Sequence, residues 1–165
     1  MVSNDTHLLI PKIKDGIVID HIPAGLGAEL VKTMSGYEEL AETLVTLGLN
    51  YASARLGRKD LIKIQCHQLP ERFLQHLSLM APGVTIKEIR DFKVRGKIVT
   101  EPPEILTGLM KCPNPRCITN SEPACTTSFH CVEAKPPVFI CHYCERHFRL
   151  GELKPIIGTL DRKPV

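Results

Sequence analysis

Four cysteines in the last third of the chain are spaced as two thiol pairs. Cys112-Pro-Asn-Pro-Arg-Cys117 leaves four residues inside the first pair, and Cys141-His-Tyr-Cys144 leaves two inside the second. Each gap lets one tight turn aim two sulfurs at a point, and two such turns complete a tetrahedron around Zn²⁺. Four thiolates leave the ion net negative and close its coordination shell, so the site is structural: catalytic zinc needs an open position for water. Lys111, Arg116, Arg146 and Arg149 flank the ligands and moderate that charge. Metal–thiolate bonds supply folding free energy that so short a segment cannot obtain from apolar burial. His147, Cys125 and Cys131 are alternative ligands with poorer spacing. Cys66 reads as a core residue.

A second polar group is more dispersed. Asp20-His21 closes a β-branched run, and Lys63 and Lys97 fall on later extended segments. A carboxylate can accept from ribose hydroxyls, while ammonium groups and an imidazole bind phosphates. Taken alone, the pattern equally describes two solvated lysines and a strand-end cap, and that plainer reading has the advantage. No phosphate-cradling glycine loop or hydrolase nucleophile elbow occurs. The chain does not read as an enzyme.

The elements that position these groups follow from periodicity. Leu8–Ile13 reads as a short edge strand carrying Pro11, after loose residues 1–7. Ile17–Ile22 is a strand, and Pro23 opens a helix with a stripe of Leu26, Leu30, Val31 and Met34. Glu42–Asn50 is extended, Tyr51–Gly57 turns, and Arg58–Cys66 is a strand alternating Ile62, Ile64 and Cys66 against Leu61 and Lys63. A second helix starts at Pro70, buries Phe73, Leu74 and Leu77, and stops at Ala81-Pro-Gly83. Val84–Lys97 is a long strand interrupted near Arg90-Asp91. The order strand, helix, strand, strand, helix, strand is the split βαβ plan, with two helices covering one face of an antiparallel sheet. The expectation is an α+β protein: a ferredoxin-like domain over residues 1–100, a small zinc-ribbon-like (rubredoxin-like) β domain over 101–150, and a C-terminal tail over 151–165. Pro102 and Pro103 stiffen the joint between the domains.

The 165 residues carry a net charge of +3 spread along the chain. That balance gives no electrostatic footprint for nucleic acid or a membrane surface, and no apolar run approaches a membrane span. Seven cysteines, four at ligand spacing, favour a reducing cytoplasm over a disulfide scaffold.

Several words together resemble the regulatory chain of aspartate carbamoyltransferase. They are Val18-Ile-Asp-His-Ile-Pro23, Gly57-Arg-Lys-Asp-Leu-Ile-Lys-Ile64, and Cys112-Pro-Asn…Cys117-Ile118, followed by Glu122-Pro123 and Cys141-His-Tyr-Cys144-Glu145. The resemblance covers about residues 8–150. It implies a non-catalytic subunit that binds CTP and ATP as allosteric effectors and carries one structural zinc. It also implies pairing through N-terminal domains and docking of the zinc domain on catalytic chains, in a dodecamer of two catalytic trimers and three regulatory dimers in pyrimidine biosynthesis. Asp20 and Lys63 match ribose-contacting positions, and His21 and Lys97 phosphate-contacting ones. Ile13 and Phe92 match positions whose backbone carbonyls read the base amine. Asn114 and Glu122 match contacts to the catalytic chain. Phe92 stands where tyrosine is common, Lys87 and Arg116 replace asparagines, and Pro11 and Lys12 also depart from the family pattern. The resemblance reverses the plainer reading of the Asp20, His21, Lys63 and Lys97 group. A zinc-ribbon nucleic-acid module and a free-standing nucleotide sensor are the rival functions.

Overall fold

The computed structural model describes residues 10–134 and 136–156. The expected looseness of residues 1–7 and the tail from 157 onward lie outside the described residues, as do Leu8 and Leu9 of the first expected strand. Its remainder, Ile10–Ile13, is a bend followed by irregular chain, not a strand. Pro11 removes one donor there, and the Lys63 ammonium instead donates to the Pro11 carbonyl.

Five strands form the first sheet: β1 (Gly16–Pro23), β2 (Val45–Ser53), β3 (Gly57–Ile64), β4 (Thr85–Arg90) and β5 (Lys93–Val99), in the order β2-β3-β1-β4-β5. All neighbouring pairs are antiparallel. With helices α1 (Gly27–Met34) and α3 (Glu71–Met80), this is the ferredoxin-like plan plus one edge strand. The extra strand arises because the long run after Val84 folds into a hairpin. Asp91 and Phe92 both take positive φ (49° and 61°), the geometry of a tight two-residue hairpin turn.

Alternation divides the sheet faces. Ile17, Ile19, Ile62, Ile64 and Ile86 pack under the helices with Leu30, Met34, Phe73 and Leu77, and most of these are fully buried. Burial of each such side chain contributes about 1.5–3 kcal/mol. The helix stripe is as expected, but Pro23 ends β1, and α1 starts only at Gly27. A one-turn helix α2 (Glu38–Ala41) was not anticipated, and β2 continues through Ser53, beyond the expected turn at Tyr51.

Asp60 explains the delayed helix start. This fully buried carboxylate accepts from the backbone N–H groups of Gly25 (2.9 Å), Gly27 (3.0 Å) and Asn50 (3.0 Å). It therefore ties the start of α1 to the β2 bulge and to β3. A Cβ on Gly27 would come within 2.9 Å of the Asp60 Cβ, so only glycine allows the approach.

A second core gathers Leu106, Leu109, Met110, Phe129, Phe139, Phe148 and Leu153 around three buried cysteines. It is built from a sheet of β6 (Ile105–Thr107), β8 (Ser128–Ala134), β9 (Pro137–Cys141) and β10 (His147–Arg149), in the order β10-β9-β8-β6. The chain expected as a tail continues this lobe: β11 (Lys154–Pro155) pairs with β7 (Met110–Lys111), and Leu153 is buried. Two strand residues are too few for periodicity to reveal. No described helix is long and apolar enough to cross a membrane.

Replacing Asp60 with alanine leaves three buried or half-buried N–H groups without their acceptor. The expected loss is about 3 kcal/mol or more in urea unfolding, and a loss below about 1 kcal/mol would contradict the anchoring role.

Candidate metal centre and anion site

The two cysteine turns converge. The Cys112 and Cys144 sulfurs are 3.8 Å apart, those of Cys117 and Cys141 are 3.9 Å apart, and all four lie within 4.8 Å of one another. A tetrahedron with metal–sulfur bonds of about 2.3 Å has edges of about 3.8 Å. The donor set therefore fits a thiophilic tetrahedral ion with little adjustment.

Each turn is organised by backbone bonds. In the first, the Asn114 carbonyl accepts from the Cys117 N–H (3.0 Å), and the Asn120 side chain donates to the carbonyls of Cys112 (2.9 Å) and Asn114 (2.8 Å). The second turn joins β9 to β10. The Glu145 N–H reaches the Cys141 carbonyl, and Glu145 itself takes φ 54°. The Thr119 hydroxyl donates to the Cys117 sulfur at 3.2 Å.

Cys112, Cys117 and Cys141 are buried, and Cys144 is half-buried. Burial pushes the Cys112 and Cys141 thiols well up, and neighbouring thiols add to the rise. Burial also opposes ionisation of Cys144, but the Asn114 side chain, the Arg146 N–H and the Cys141 and Cys112 thiols outweigh it and bring Cys144 to about 7. A cation bound by these sulfurs displaces their protons, so metal uptake is coupled to proton release. His142 and His147 are exposed, and Cys131 points its sulfur at the Glu133 carbonyl (3.1 Å), so the better-spaced set is the one assembled.

The second polar group lies on the sheet face turned away from the helices. Lys63, Val18, Lys87 and Lys97 are successive cross-strand partners, so three lysines form one row over β3, β4 and β5. Asp20, two residues beyond Val18 and 6% exposed, holds Lys59 at 2.7 Å through Oδ1 and Lys87 at 2.7 Å through Oδ2. Its Oδ1 also accepts from the His21 N–H at 2.7 Å. Sequence reasoning missed Lys59 as a partner and noted Lys87 only as a departure; a β1 bulge after Ile19 brings Lys59 within reach.

Burial raises the Asp20 carboxyl, but hydrogen bonds from Lys59, Lys87 and His21 win and hold it well below the ordinary carboxylate range. Burial pushes His21 down, and Lys59, Lys87 and Arg55 push the same way against Asp20. His21 occupies the left-handed region at φ 61°, uncommon for a residue with a Cβ. Burial also lowers Lys63. Lys97 is exposed, and no ion pair engages it among the described residues. Ile13 lies in the irregular segment beside the β4–β5 turn, where the Phe92 N–H donates to the Lys14 carbonyl (2.9 Å). Of the expected residues, Lys63 and Lys97 thus share one row with Lys87, and Asp20 is committed to Lys59 and Lys87 instead of the two lysines anticipated.

Comparison with known proteins decides the family. Residues 8–101 match the model described as aspartate carbamoyltransferase regulatory chain, allosteric domain, and residues 104–154 match the metal binding domain of the same chain. The chain belongs to the aspartate carbamoyltransferase regulatory chain family. It is 42% identical over 148 residues to the regulatory chain of Pyrobaculum arsenaticum, covering 88% of this chain and 97% of that one. It is 40% identical over 146 residues to that of Pyrococcus abyssi (88% and 95%), and 36% identical over 159 residues to that of Metallosphaera sedula (96% and 100%). The family is one of regulatory, non-catalytic chains, with an allosteric domain ahead of a metal-binding one.

Two outcomes follow. Cys117→Ser abolishes stoichiometric metal in elemental analysis and removes amide-exchange protection from β8 and β9, while β1 and β3 stay protected; full metal content would contradict the assigned ligands. Asp20→Asn leaves Lys59 and Lys87 facing each other without a counter-charge and, with both lysines partly screened by solvent, costs about 1–3 kcal/mol. Because the folded Asp20 pKa is depressed, its contribution is complete above the unfolded value of about 4 and fades as pH falls below it. Urea midpoints of parent and variant should therefore converge in acid, and a pH-independent gap would count against this origin.

Proposed function

We propose that this chain is the effector-binding subunit of an aspartate carbamoyltransferase assembly in cytoplasmic pyrimidine biosynthesis. Residues 1–100 form the nucleotide-binding domain, and Asp20, His21, Lys63 and Lys97, with the backbone of Ile13 and Phe92, hold CTP or ATP. The observation that carries this reading is the lysine row beside Asp20-His21, in a chain of a regulatory family. An anion laid along Lys63, Lys87 and Lys97 meets three ammonium groups opposed by one carboxylate, and that carboxylate retains lone-pair capacity for ribose hydroxyls.

Cys112, Cys117, Cys141 and Cys144 hold one Zn²⁺. The zinc supplies the bonds that fix residues 101–150 as a docking surface for the catalytic chain, with Glu122 exposed beside it. Asn114 acts there mainly by shaping the first cysteine turn, since it is buried within it. Chains pair through their N-terminal domains and link two catalytic trimers by three regulatory dimers. A nucleotide changes activity only by binding one quaternary state more tightly than the other, with couplings of about 1–3 kcal/mol.

The test is reconstitution with the aspartate carbamoyltransferase catalytic chain. The two should co-purify, activity should respond to CTP or ATP, and Lys97→Ala should weaken calorimetric nucleotide affinity without lowering zinc content. Separate elution of the chains, or unchanged affinity for both nucleotides in the variant, would refute the reading.

A further inference from the structure

His76, which the functions above leave unused, is 1% exposed. It lies on α3, where Nε2 is 3.0 Å from the Leu109 carbonyl oxygen. A carbonyl only accepts, so Nε2 carries the hydrogen. Nδ1 then offers a lone pair, and the Tyr37 hydroxyl donates to it. The rings of Tyr37 and His76 meet edge-on at 6.0 Å, and Tyr37 also abuts Phe73 at 5.5 Å. Burial pushes the His76 imidazole down, which favours this neutral, directional form.

The contact joins the two lobes. Leu109 sits three residues before the ligand Cys112, and its carbonyl also accepts from the Ile156 N–H at 2.8 Å. One turn earlier on α3, the Arg72 guanidinium donates to the Gly108 carbonyl at 3.2 Å. Leu79 of the same helix packs in the core that contains the cysteines. In the other direction, Tyr37 lies three residues past the end of α1 at the start of α2, and α1 follows β1, which carries Asp20 and His21 in its bulge. Chain order thus leads from the strand of Asp20 and His21 through α1 to Tyr37, and the bonds of His76 lead on to the segment before Cys112.

We propose that His76 is a positioning residue: accepting from Tyr37 and donating to Leu109, it clasps the metal lobe to the helical layer, so that occupancy of the anion site is felt at the cysteine turns. The nucleotide half of this proposal rests on the function proposed above; the clasp does not.

The experiment measures metal release from the intact, zinc-loaded chain to a chromophoric chelator, with and without ATP. Four chains are compared: the parent, Tyr37→Phe, His76→Leu and His76→Gln. Tyr37→Phe keeps the ring and loses only the hydroxyl, so it serves even if His76→Leu fails to fold. The expected result is release at least about threefold faster in Tyr37→Phe and His76→Leu. His76→Gln should fall within about twofold of the parent, because its amide retains a donor for Leu109 and an acceptor for Tyr37. ATP should change the rate in the parent and no longer in Tyr37→Phe, with calorimetric ATP affinity equal in both. Release unaltered in Tyr37→Phe, or an ATP effect that survives intact in it, overturns the proposal. Absence of ATP binding to the parent overturns the proposed function, while the clasp is still judged on release without nucleotide.

Discussion

Four sulfurs must share a volume the size of one ion, and the second lobe depends on that convergence. Its core is small: three phenylalanines, a few aliphatic side chains and three buried cysteines. Burial and neighbouring thiols push Cys112 and Cys141 up, and thiols attract one another only weakly. With a divalent ion the same crowding becomes favourable, because thiolates replace thiols and four bonds tie β7, β9 and both turns to one point. The remaining features of the lobe serve that geometry. Asn120 braces the first turn, Glu145 accepts a left-handed backbone in the second, and β11 closes over β7.

Helix α3 carries the consequence to the other lobe. Phe73 and Leu77 lie in the core of the five-stranded sheet, whereas Leu79, two residues further on, belongs to the metal lobe. One rigid element thus has side chains in both cores. The polar bonds from Arg72 and His76 add direction to what apolar packing leaves free to slide. Asp60 plays a matching part at the other end of α1, so both ends of the helical layer are fixed by buried polar groups rather than by burial alone.

Much of this was legible in the residue order, for reasons of range. Cysteine pairs within one turn, the β-branched run of β1 and the stripe of α3 are local patterns, and local patterns survive without knowledge of the fold. The Asp20 partners were not legible. Lys59 reaches Asp20 only because β1 bulges between Ile19 and Ile22, and Lys87 only because β4 pairs with β1 in that register. The Tyr37–His76 pair spans 39 residues and the His76–Leu109 contact 33, distances over which spacing carries no signal. The expected strand before Ile13 failed over its described part because an apolar run containing proline resembles a strand while lacking a donor. Residues after Gly151 looked like a tail because a two-residue strand has no period.

The most direct measurement of the central claim is zinc K-edge X-ray absorption on the freshly purified chain. The expected spectrum shows one zinc per chain surrounded by four sulfur scatterers at about 2.3 Å, with no nitrogen or oxygen in the shell. A shell containing a histidine nitrogen or a water oxygen, or a chain that is fully folded with no metal bound, would contradict it.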